Sequence, residues 1–192
     1  MKIFAHRGVF DYYPENSYES FGYALSQGFS IETDLRLTLD GDFVIIHDDN
    51  LLRLCGKDIP VKCLTLAKLE QYRYVDNERK KTPYRLNSFR RYCELLDNAS
   101  LEFEMALHLK VDSQTEEGLY KISNYFKEFD LYRKAFVLGL TFQAATVMRK
   151  VDPEVRIALM ISDYKFESTI YLWEEVKDFR FEIMWAAEYK KL

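Results

Sequence analysis

The sequence predicts an α/β protein of the TIM-type (β/α) barrel class. Short β-branched or aromatic segments alternate with helical patterns along almost the whole chain. The predicted strands are nearly continuous in apolar residues, as is typical of parallel strands buried on both faces. Polar residues fall at the carboxyl ends of these strands, where parallel α/β folds carry their chemistry. An open doubly wound sheet is the alternative, although no glycine-rich phosphate fingerprint follows the first strand.

The first part of the chain contains four predicted strands, at Lys2–Ala5, Phe29–Leu35, Phe43–His47 and Leu101–Lys110. They are rich in β-branched and aromatic residues, and Asp40-Gly41 marks a turn before the third. Helices are predicted at Ser17–Gln27, near Leu66–Tyr72 and at Leu86–Leu96. The first helix has Asn16 as its predicted N-cap, Glu19 completing a capping box, and Gly28 ending it.

The remaining chain continues the alternation with three strands and three helices. The predicted strands are Ala135–Leu140, Val155–Ile161 and Arg180–Trp185, and the predicted helices are Thr115–Phe129, Phe142–Lys150 and Glu167–Lys177. Only Ala186–Leu192 follow the seventh strand, so a single domain over residues 1–192 would be a barrel short of its eighth unit. The open seam would have to be covered, for example by a second copy of the chain in a homo-oligomer.

Composition indicates a soluble globular protein that does not bind nucleic acid. The 192 residues are 48% hydrophobic and 30% charged, with a net charge of -4 and no long basic run. No segment approaches the roughly 20 apolar residues that span a membrane. Charge at Lys2, His6 and Arg7 precedes any apolar signal-peptide region, and the three cysteines have no close spacing. A cytoplasmic protein with reduced thiols is therefore expected.

All three histidines, His6, His47 and His108, lie at or near the carboxyl ends of predicted strands. A single histidine in such a position is as often structural as functional. Three histidines at the same end of the sheet favour a functional site. In a purely structural α/β domain the three side chains would not converge.

Two carboxylates are predicted to point to one place. Residues two apart on a strand share a face, so Glu32 and Asp34 point inward and Thr33 points away. Two such carboxylates repel unless a cation lies between them. A divalent metal ion with oxygen ligands is favoured, and a buried ion pair with Lys110 is the alternative.

The fourth strand places a further histidine and a lysine on the same inward face. Glu104, Ala106, His108 and Lys110 share one parity. The ammonium of Lys110 can hold a phosphate as a point charge, or the side chain can simply extend to the barrel mouth.

Several short motifs in register resemble the glycerophosphodiester phosphodiesterase family. They are His6-Arg7-Gly8, Pro14-Glu15-Asn16-Ser17, Glu32-Thr33-Asp34, Asp40-Gly41 and His47-Asp48. The resemblance is strong over residues 1–110 and diffuse over 133–163. It implies a TIM-type barrel that hydrolyses glycerophosphodiesters to an alcohol and glycerol 3-phosphate with Ca²⁺ or Mg²⁺.

The resemblance also implies roles for individual residues. His6 and His47 would be the general acid/base pair, and Arg7 and Lys110 would contact the substrate phosphate. Glu32 and Asp34 would hold the metal, with His108 as the third ligand. Glu15 receives no role, because Pro14 and Asn16 already serve to open the first helix.

Two departures from the family pattern matter. The family has an acid two residues before the lysine of its fourth-strand motif, and this chain has His108 there. Imidazole should weaken Ca²⁺ or Mg²⁺ and make Mn²⁺ or Zn²⁺ more competitive, or the metal site is impaired. No match to the family's tryptophan motif follows Trp185. The alternative function is therefore an impaired family member that binds phosphodiesters or a protein partner.

Overall fold

The computed structural model describes residues 3–99, 102–161 and 181–185. The strands are β1 (Phe4–His6), β2 (Ser30–Leu37), β3 (Phe43–Ile45), β4 (Arg73–Val75), β5 (Lys81–Arg85), β6 (Met105–Leu109), β7 (Ala135–Leu138), β8 (Ile157–Ile161) and β9 (Phe181–Trp185). The α-helices are α1 (Tyr18–Ser26), α2 (Leu52–Cys55), α3 (Leu66–Leu69), α4 (Phe89–Asp97), α5 (Glu116–Glu128) and α6 (Phe142–Val151). Within these ranges no helix is long and apolar enough to cross a bilayer.

In the part of the chain that the structure describes, the main sheet has seven strands, and its order is β1-β2-β6-β7-β8-β9 with β3 beside β2. All neighbours along this path are parallel. The strands β4 and β5 form a separate antiparallel pair. A mostly parallel sheet with helical connections is the architecture of the TIM-type α/β class that the sequence predicts.

The seven predicted strands are all present, but the expectation that they are all parallel is wrong for the third. The strand β3 runs antiparallel to β2, with Leu35 opposite Ile45 and Leu37 opposite Phe43. Five residues connect the two strands, and a parallel crossover needs a dozen or more. The turn signal at Asp40-Gly41 therefore indicates a hairpin, and the parallel part of the described sheet has six strands.

The two faces of the sheet have different surroundings, as the alternation of strand residues requires. One face packs against the helices through Ile31, Leu35, Leu107 and Val137, which belong to the main buried core. The other face carries a small cluster formed by Ala106, Phe136, Leu138 and Ala158, with Phe4 beside it. Glu32, Asp34 and His108 have the parity of this second face, as predicted.

The segment between β3 and α4 has a core of its own. Val44, Ile46, Leu54, Leu69 and Tyr74 pack together in this core, apart from the main one. The short helices α2 and α3 and the pair β4-β5 therefore form a compact insertion beside the parallel sheet, on the segment that follows β3.

The start of α1 differs from the prediction. Its N-cap is Ser17, whose side chain accepts a hydrogen bond from the Ser20 N–H, and not Asn16. Asn16 has a φ of 56° and is fully buried, so its side chain faces the sheet. The helix ends as predicted, with Gly28 beyond its last turn at a φ of +84°. The predicted helix Glu167–Lys177 and the tail Ala186–Leu192 lie outside the described residues.

Candidate active site

The register of the parallel strands places four of the predicted site residues in two neighbouring pairs. His6 on β1 is opposite Glu32 on β2, and Asp34 on β2 is opposite His108 on β6. Glu32 and Asp34 are not the end of their strand, because β2 continues to Leu37 and pairs there with β3. They lie instead where the shorter β1 ends, so the carboxylates still border an edge of the parallel sheet.

Glu32, Asp34 and His108 form the one group in the described chain whose donor atoms could hold a metal ion together. One ligand atom from each lies within 4.8 Å of the others. His108 Nδ1 is 3.4 Å from Asp34 Oδ1 and 3.8 Å from Glu32 Oε1. Two carboxylate oxygens and one imidazole nitrogen fit a divalent cation.

The two buried carboxyl groups differ in pKa. Burial, together with the neighbouring Asp34 charge, raises the pKa of Glu32 to about 8. Burial also disfavours ionised Asp34, but hydrogen bonding to His108 and the charge of Lys110 outweigh it and hold the Asp34 pKa well below its usual range. One proton on Glu32 therefore relieves the repulsion between the two carboxylates, which is the role that a bound cation would otherwise take.

Two basic side chains face Asp34. Lys110 Nζ lies 2.6 Å from Asp34 Oδ1, and Arg7 Nε lies 3.1 Å from Asp34 Oδ2. Lys110 follows β6 directly and is tied to β2 by its N–H bond to the Leu35 carbonyl. The predicted phosphate residues therefore lie beside the predicted metal ligands, and the alternative ion pair of Lys110 is present with Asp34.

Asn16 holds Asp34 in place from the side of the first loop. Its Nδ2 donates to Asp34 Oδ2 at 2.9 Å, and its Oδ1 accepts from Thr33 Oγ1 and from the Asp34 N–H. The carbonyl of Asn16 accepts hydrogen bonds from the hydroxyls of Tyr74 and Tyr92. The interpretation that Asn16 serves to open the helix is therefore wrong, because Ser17 has that role and Asn16 supports a site residue.

His6 ends β1 and lies next to Glu32. Its Nε2 is 3.9 Å from Glu32 Oε2, and about two thirds of its side chain is exposed. Partial burial lowers the pKa of His6, and the charges of Arg7 and His47 lower it further. His6 and His108 therefore approach opposite oxygens of the Glu32 carboxylate.

His47 follows β3 and is oriented by the residue after it. Its Nδ1 lies 2.9 Å from Asp48 Oδ1, and its carbonyl accepts from Arg36 Nε. Arg53 on α2 donates to both oxygens of Asp48, and this hydrogen bonding lowers the Asp48 pKa to about 2. A carboxylate that accepts the Nδ1–H leaves Nε2 as the nitrogen that can exchange a proton.

Glu15 connects the two histidine-bearing loops. Arg53 donates to both oxygens of Glu15 at 2.7 Å, and Arg7 Nη1 lies 3.3 Å from the same carboxylate. Burial alone would raise the Glu15 pKa, but the Arg53 hydrogen bonds lower it overall. A chain of charged groups therefore runs from Arg7 through Glu15 and Arg53 to Asp48 and His47.

Two glycines permit close approaches around the site. A Cβ on Gly8, whose φ is +81°, would lie 2.1 Å from Ser20 Oγ. A Cβ on Gly139, whose φ is +76°, would lie 2.4 Å from the ring of His108. The first allows the loop after His6-Arg7 to pack on α1, and the second leaves room for the imidazole beside the carboxylates.

The predicted site residues thus fall into one connected cluster, and some supporting residues were missed. Asp48 and Arg53 received no role from the sequence, although Asp48 directly follows His47 and Arg53 lies five residues further on. Glu15 was set aside, yet it bridges two arginines. Only the adjacency of His47 and Asp48 in the sequence could have indicated a contact between them. The contacts of Arg53 and Glu15 depend on how the insertion folds.

Comparison with known proteins identifies the family of this chain. The family model described as the glycerophosphoryl diester phosphodiesterase family matches residues 6–179. A glycerophosphodiester phosphodiesterase from Bacillus altitudinis is 28% identical over 174 residues, which cover 89% of this chain and 71% of that protein. One from Caldanaerobacter subterraneus subsp. tengcongensis is 26% identical over 166 residues, covering 82% and 65%.

Solved structures share the fold. The putative glycerophosphoryl diester phosphodiesterase from Silicibacter pomeroyi aligns with a TM-score of 0.78 and 15% identity, covering 98% of this chain and 83% of that one. An Oleispira antarctica phosphodiesterase, solved in complex with the product sn-glycerol-3-phosphate, aligns with a TM-score of 0.73 and 21% identity, covering 98% and 85%. The fold and the family match define a TIM-type enzyme of the phosphoric diester hydrolase class. Within that class, the chain belongs to the glycerophosphoryl diester phosphodiesterase family.

Proposed function

We propose that this protein hydrolyses glycerophosphodiesters to an alcohol and glycerol 3-phosphate, with His6 and His47 as the proton-transfer pair. The observation that carries the proposal is the convergence of Glu32, Asp34 and His108 beside His6, in a chain that belongs to the family. A relative solved with sn-glycerol-3-phosphate supports the choice of product.

The three converging residues would hold a divalent cation. Glu32 and Asp34 supply hard oxygen atoms, which suit Ca²⁺ or Mg²⁺, and His108 makes Mn²⁺ or Zn²⁺ more competitive. When bound, the cation offsets the negative charge of the phosphodiester. Burial raises the pKa of Glu32 to about 8, and a cation bound beside this carboxyl group would favour its ionised form.

The basic residues of the rim would bind and orient the phosphate. Arg7 and Lys110 both lie against Asp34, with only about a fifth and a tenth of their side chains exposed. Such cations are held in place before the substrate arrives, so they stabilise developing charge with little reorganisation.

The two histidines would move the protons. One removes a proton from the attacking water as its oxygen bonds to phosphorus, and the other returns a proton to the alcohol oxygen whose bond to phosphorus breaks. His47 is suited to this exchange through Nε2, because Asp48 occupies its Nδ1. Each such transfer contributes typically about 10²–10⁴-fold to the rate.

The test is hydrolysis of glycerophosphocholine by purified protein with added Mg²⁺, Ca²⁺, Mn²⁺ or Zn²⁺. We expect release of glycerol 3-phosphate, and a loss of about 100-fold or more in the single variants His6→Ala and His47→Ala. Activity of the unchanged protein no higher than that of the double variant would refute the proposal. Calorimetric titration distinguishes the proposed enzyme from the alternative, a catalytically impaired member of the family. Such a protein would bind glycerophosphocholine but none of the metals.

The remaining expectations are also part of the proposal. We place the domain over residues 1–192 and the protein in the cytoplasm, in keeping with the free thiols of Cys55, Cys63 and Cys93. A homo-oligomer that covers an open edge of the sheet is testable by light scattering of the purified protein.

A further inference from the structure

A groove lined by basic side chains lies on the insertion between β3 and α4. Two adjoining clefts, of about 280 and about 350 Å³, share Cys55, Lys57 and Lys81. We call the two clefts together the basic groove; its cationic residues are Lys57, Lys68, Arg73, Arg79 and Lys81. Among the described residues, no aspartate or glutamate lines either cleft, and neither cleft contains a residue of the candidate active site.

The cations of the basic groove differ from the other basic residues near the site. Arg7, Arg53 and Lys110 each pair with a carboxylate. Within the described chain, none of the five groove cations has an ion pair with a carboxylate, and the contacts that three of them make are with neutral oxygens. Those oxygens are Gln71 Oε1 for Lys68, the Thr82 carbonyl for Arg73, and the Leu52 and Arg53 carbonyls for Arg79. Their positive charge is therefore uncompensated by protein groups.

The segment that surrounds the basic groove also has a positive net charge. Residues 49–85 contain nine lysines and arginines against five acids, in a chain whose net charge is -4. Three of these acids make hydrogen bonds that do not involve the groove: Asp58 with Asn50, Glu70 with the Ser88 N–H, and Asp76 with the Glu78 and Lys80 N–H groups. The insertion is thus a positive region on an acidic protein.

Like charges around a concave surface repel each other and raise the local concentration of anions. Lysine binds phosphate as a point charge, and arginine binds it through paired donors. We infer that the basic groove is a second anion site, which binds a phosphate-bearing ligand apart from the catalytic rim. The ligand is either a free phosphorylated small molecule or the headgroup of an anionic lipid, and half-exposed Leu52 in the groove offers an apolar contact to the latter.

The helix α2 lies between the groove and the rim. Arg53 on this helix bonds Glu15 and Asp48 at the rim, whereas Cys55 lines the groove. Arg79 donates to the carbonyls of Leu52 and Arg53, so one groove cation contacts the backbone that carries the rim arginine. A ligand in the groove would therefore sit one short helix away from the catalytic residues.

The test uses two probes and a matched pair of charge-reversal variants. Pyrophosphate is titrated by calorimetry in EDTA at low salt, and sedimentation measures binding to vesicles of phosphatidylglycerol or phosphatidylcholine. Lys57→Glu with Lys81→Glu alters the groove, and Lys127→Glu with Lys150→Glu makes the same charge change at exposed positions on α5 and α6. We expect the groove variant to bind about 10-fold more weakly or worse, because two charge-assisted contacts are lost, and the control variant to bind like the unchanged protein.

Selective loss of pyrophosphate binding in the groove variant identifies a free anion as the ligand. Selective loss of binding to phosphatidylglycerol vesicles, with none to phosphatidylcholine, identifies a lipid headgroup. No binding of either probe by the unchanged protein, or an equal loss in both variants, overturns the inference. Hydrolysis of glycerophosphocholine should be unchanged in the groove variant, and this readout tests the proposed function separately.

Discussion

Lys110 Nζ lies 2.6 Å from Asp34 Oδ1 and 3.2 Å from His108 Nδ1. An ammonium group therefore contacts two of the three residues that could hold a divalent cation. Its charge favours ionised Asp34, and it also opposes a second cation in the same place. Lys110 thus acts differently from a metal ligand, and a substitution can separate the two roles.

Replacing Lys110 by Met should lower kcat/KM for glycerophosphocholine by about 100-fold or more, because a preorganised phosphate contact is lost. Metal affinity should stay the same or rise, because the competing ammonium is gone. Steady-state kinetics and calorimetric titration with Mn²⁺ measure the two effects. Weaker metal binding in this variant would show that Lys110 supports the ligands instead of competing with the cation.

Replacing His108 by Glu should shift metal preference toward Mg²⁺ and Ca²⁺. A carboxylate adds a hard, charged oxygen where the chain has a neutral nitrogen. Competition titrations of Mg²⁺ against Mn²⁺ measure the ratio of affinities in the variant and in the unchanged protein. His108→Gln is the control, since it keeps a polar side chain without the charge and should bind every metal more weakly. An unchanged ratio in His108→Glu would mean that His108 is not a ligand.

Replacing Arg53 by Ala should lower kcat by about 10- to 100-fold, which is part of what a general acid/base contributes. Arg53 contacts Asp48, which orients His47, so the loss is one of orientation. Arg53→Lys should recover only part of the rate, because an ammonium cannot bond Asp48 and Glu15 through paired donors. KM should change little. A rise in KM with constant kcat would place Arg53 in substrate binding instead.

Replacing Asn16 by Gly should destabilise the fold by about 1–3 kcal/mol, the usual cost of leaving a buried polar partner unsatisfied. Asn16→Ala should cost about 1 kcal/mol more, because its φ of 56° is unfavourable for a residue with a Cβ. Urea unfolding of the metal-free proteins measures both. Equal stability of the two variants would mean that the backbone conformation at this position contributes nothing.

The raised pKa of Glu32 predicts how stability depends on pH in the metal-free protein. The folded state holds the proton up to about pH 8, whereas the unfolded chain releases it near pH 4.5. The contribution of Glu32 to stability should therefore fall as pH rises between these values. Thermal unfolding in EDTA at several pH values measures this decrease in stability, which should be smaller in Glu32→Gln. Saturating Mn²⁺ should also reduce it, because a bound cation favours the ionised carboxylate.

The local patterns of the chain were sufficient to predict the main elements and the shared face of Glu32, Asp34 and His108. Alternation along β2 places Glu32 and Asp34 on one face, and the structure keeps them there. The same rule placed His108 and Lys110 opposite them. These predictions succeed because the direction of a side chain on a strand depends only on the parity of its position.

The predictions that failed concern contacts between distant segments. The direction of β3 depends on the length of its connection to β2, and the sequence pattern of a strand does not encode direction. Asn16 resembled an N-cap because its neighbours begin a helix, but its hydrogen bonds go to Asp34, Tyr74 and Tyr92. Propensity describes neighbours in sequence and gives no weight to partners that folding brings together.

Sequence by itself therefore determined the α/β alternation, the family and the residues that could act on a phosphodiester. The tertiary structure decided how they are supported, with Asn16 on Asp34 and Arg53 on Asp48. It also gathers in one groove five cations that form no ion pair among the described residues. Strand and helix periodicities arise from the local geometry of the backbone, so they can be read along the chain. Hydrogen bonds between segments, and the charge that gathers on one surface, depend on the packing of the whole fold.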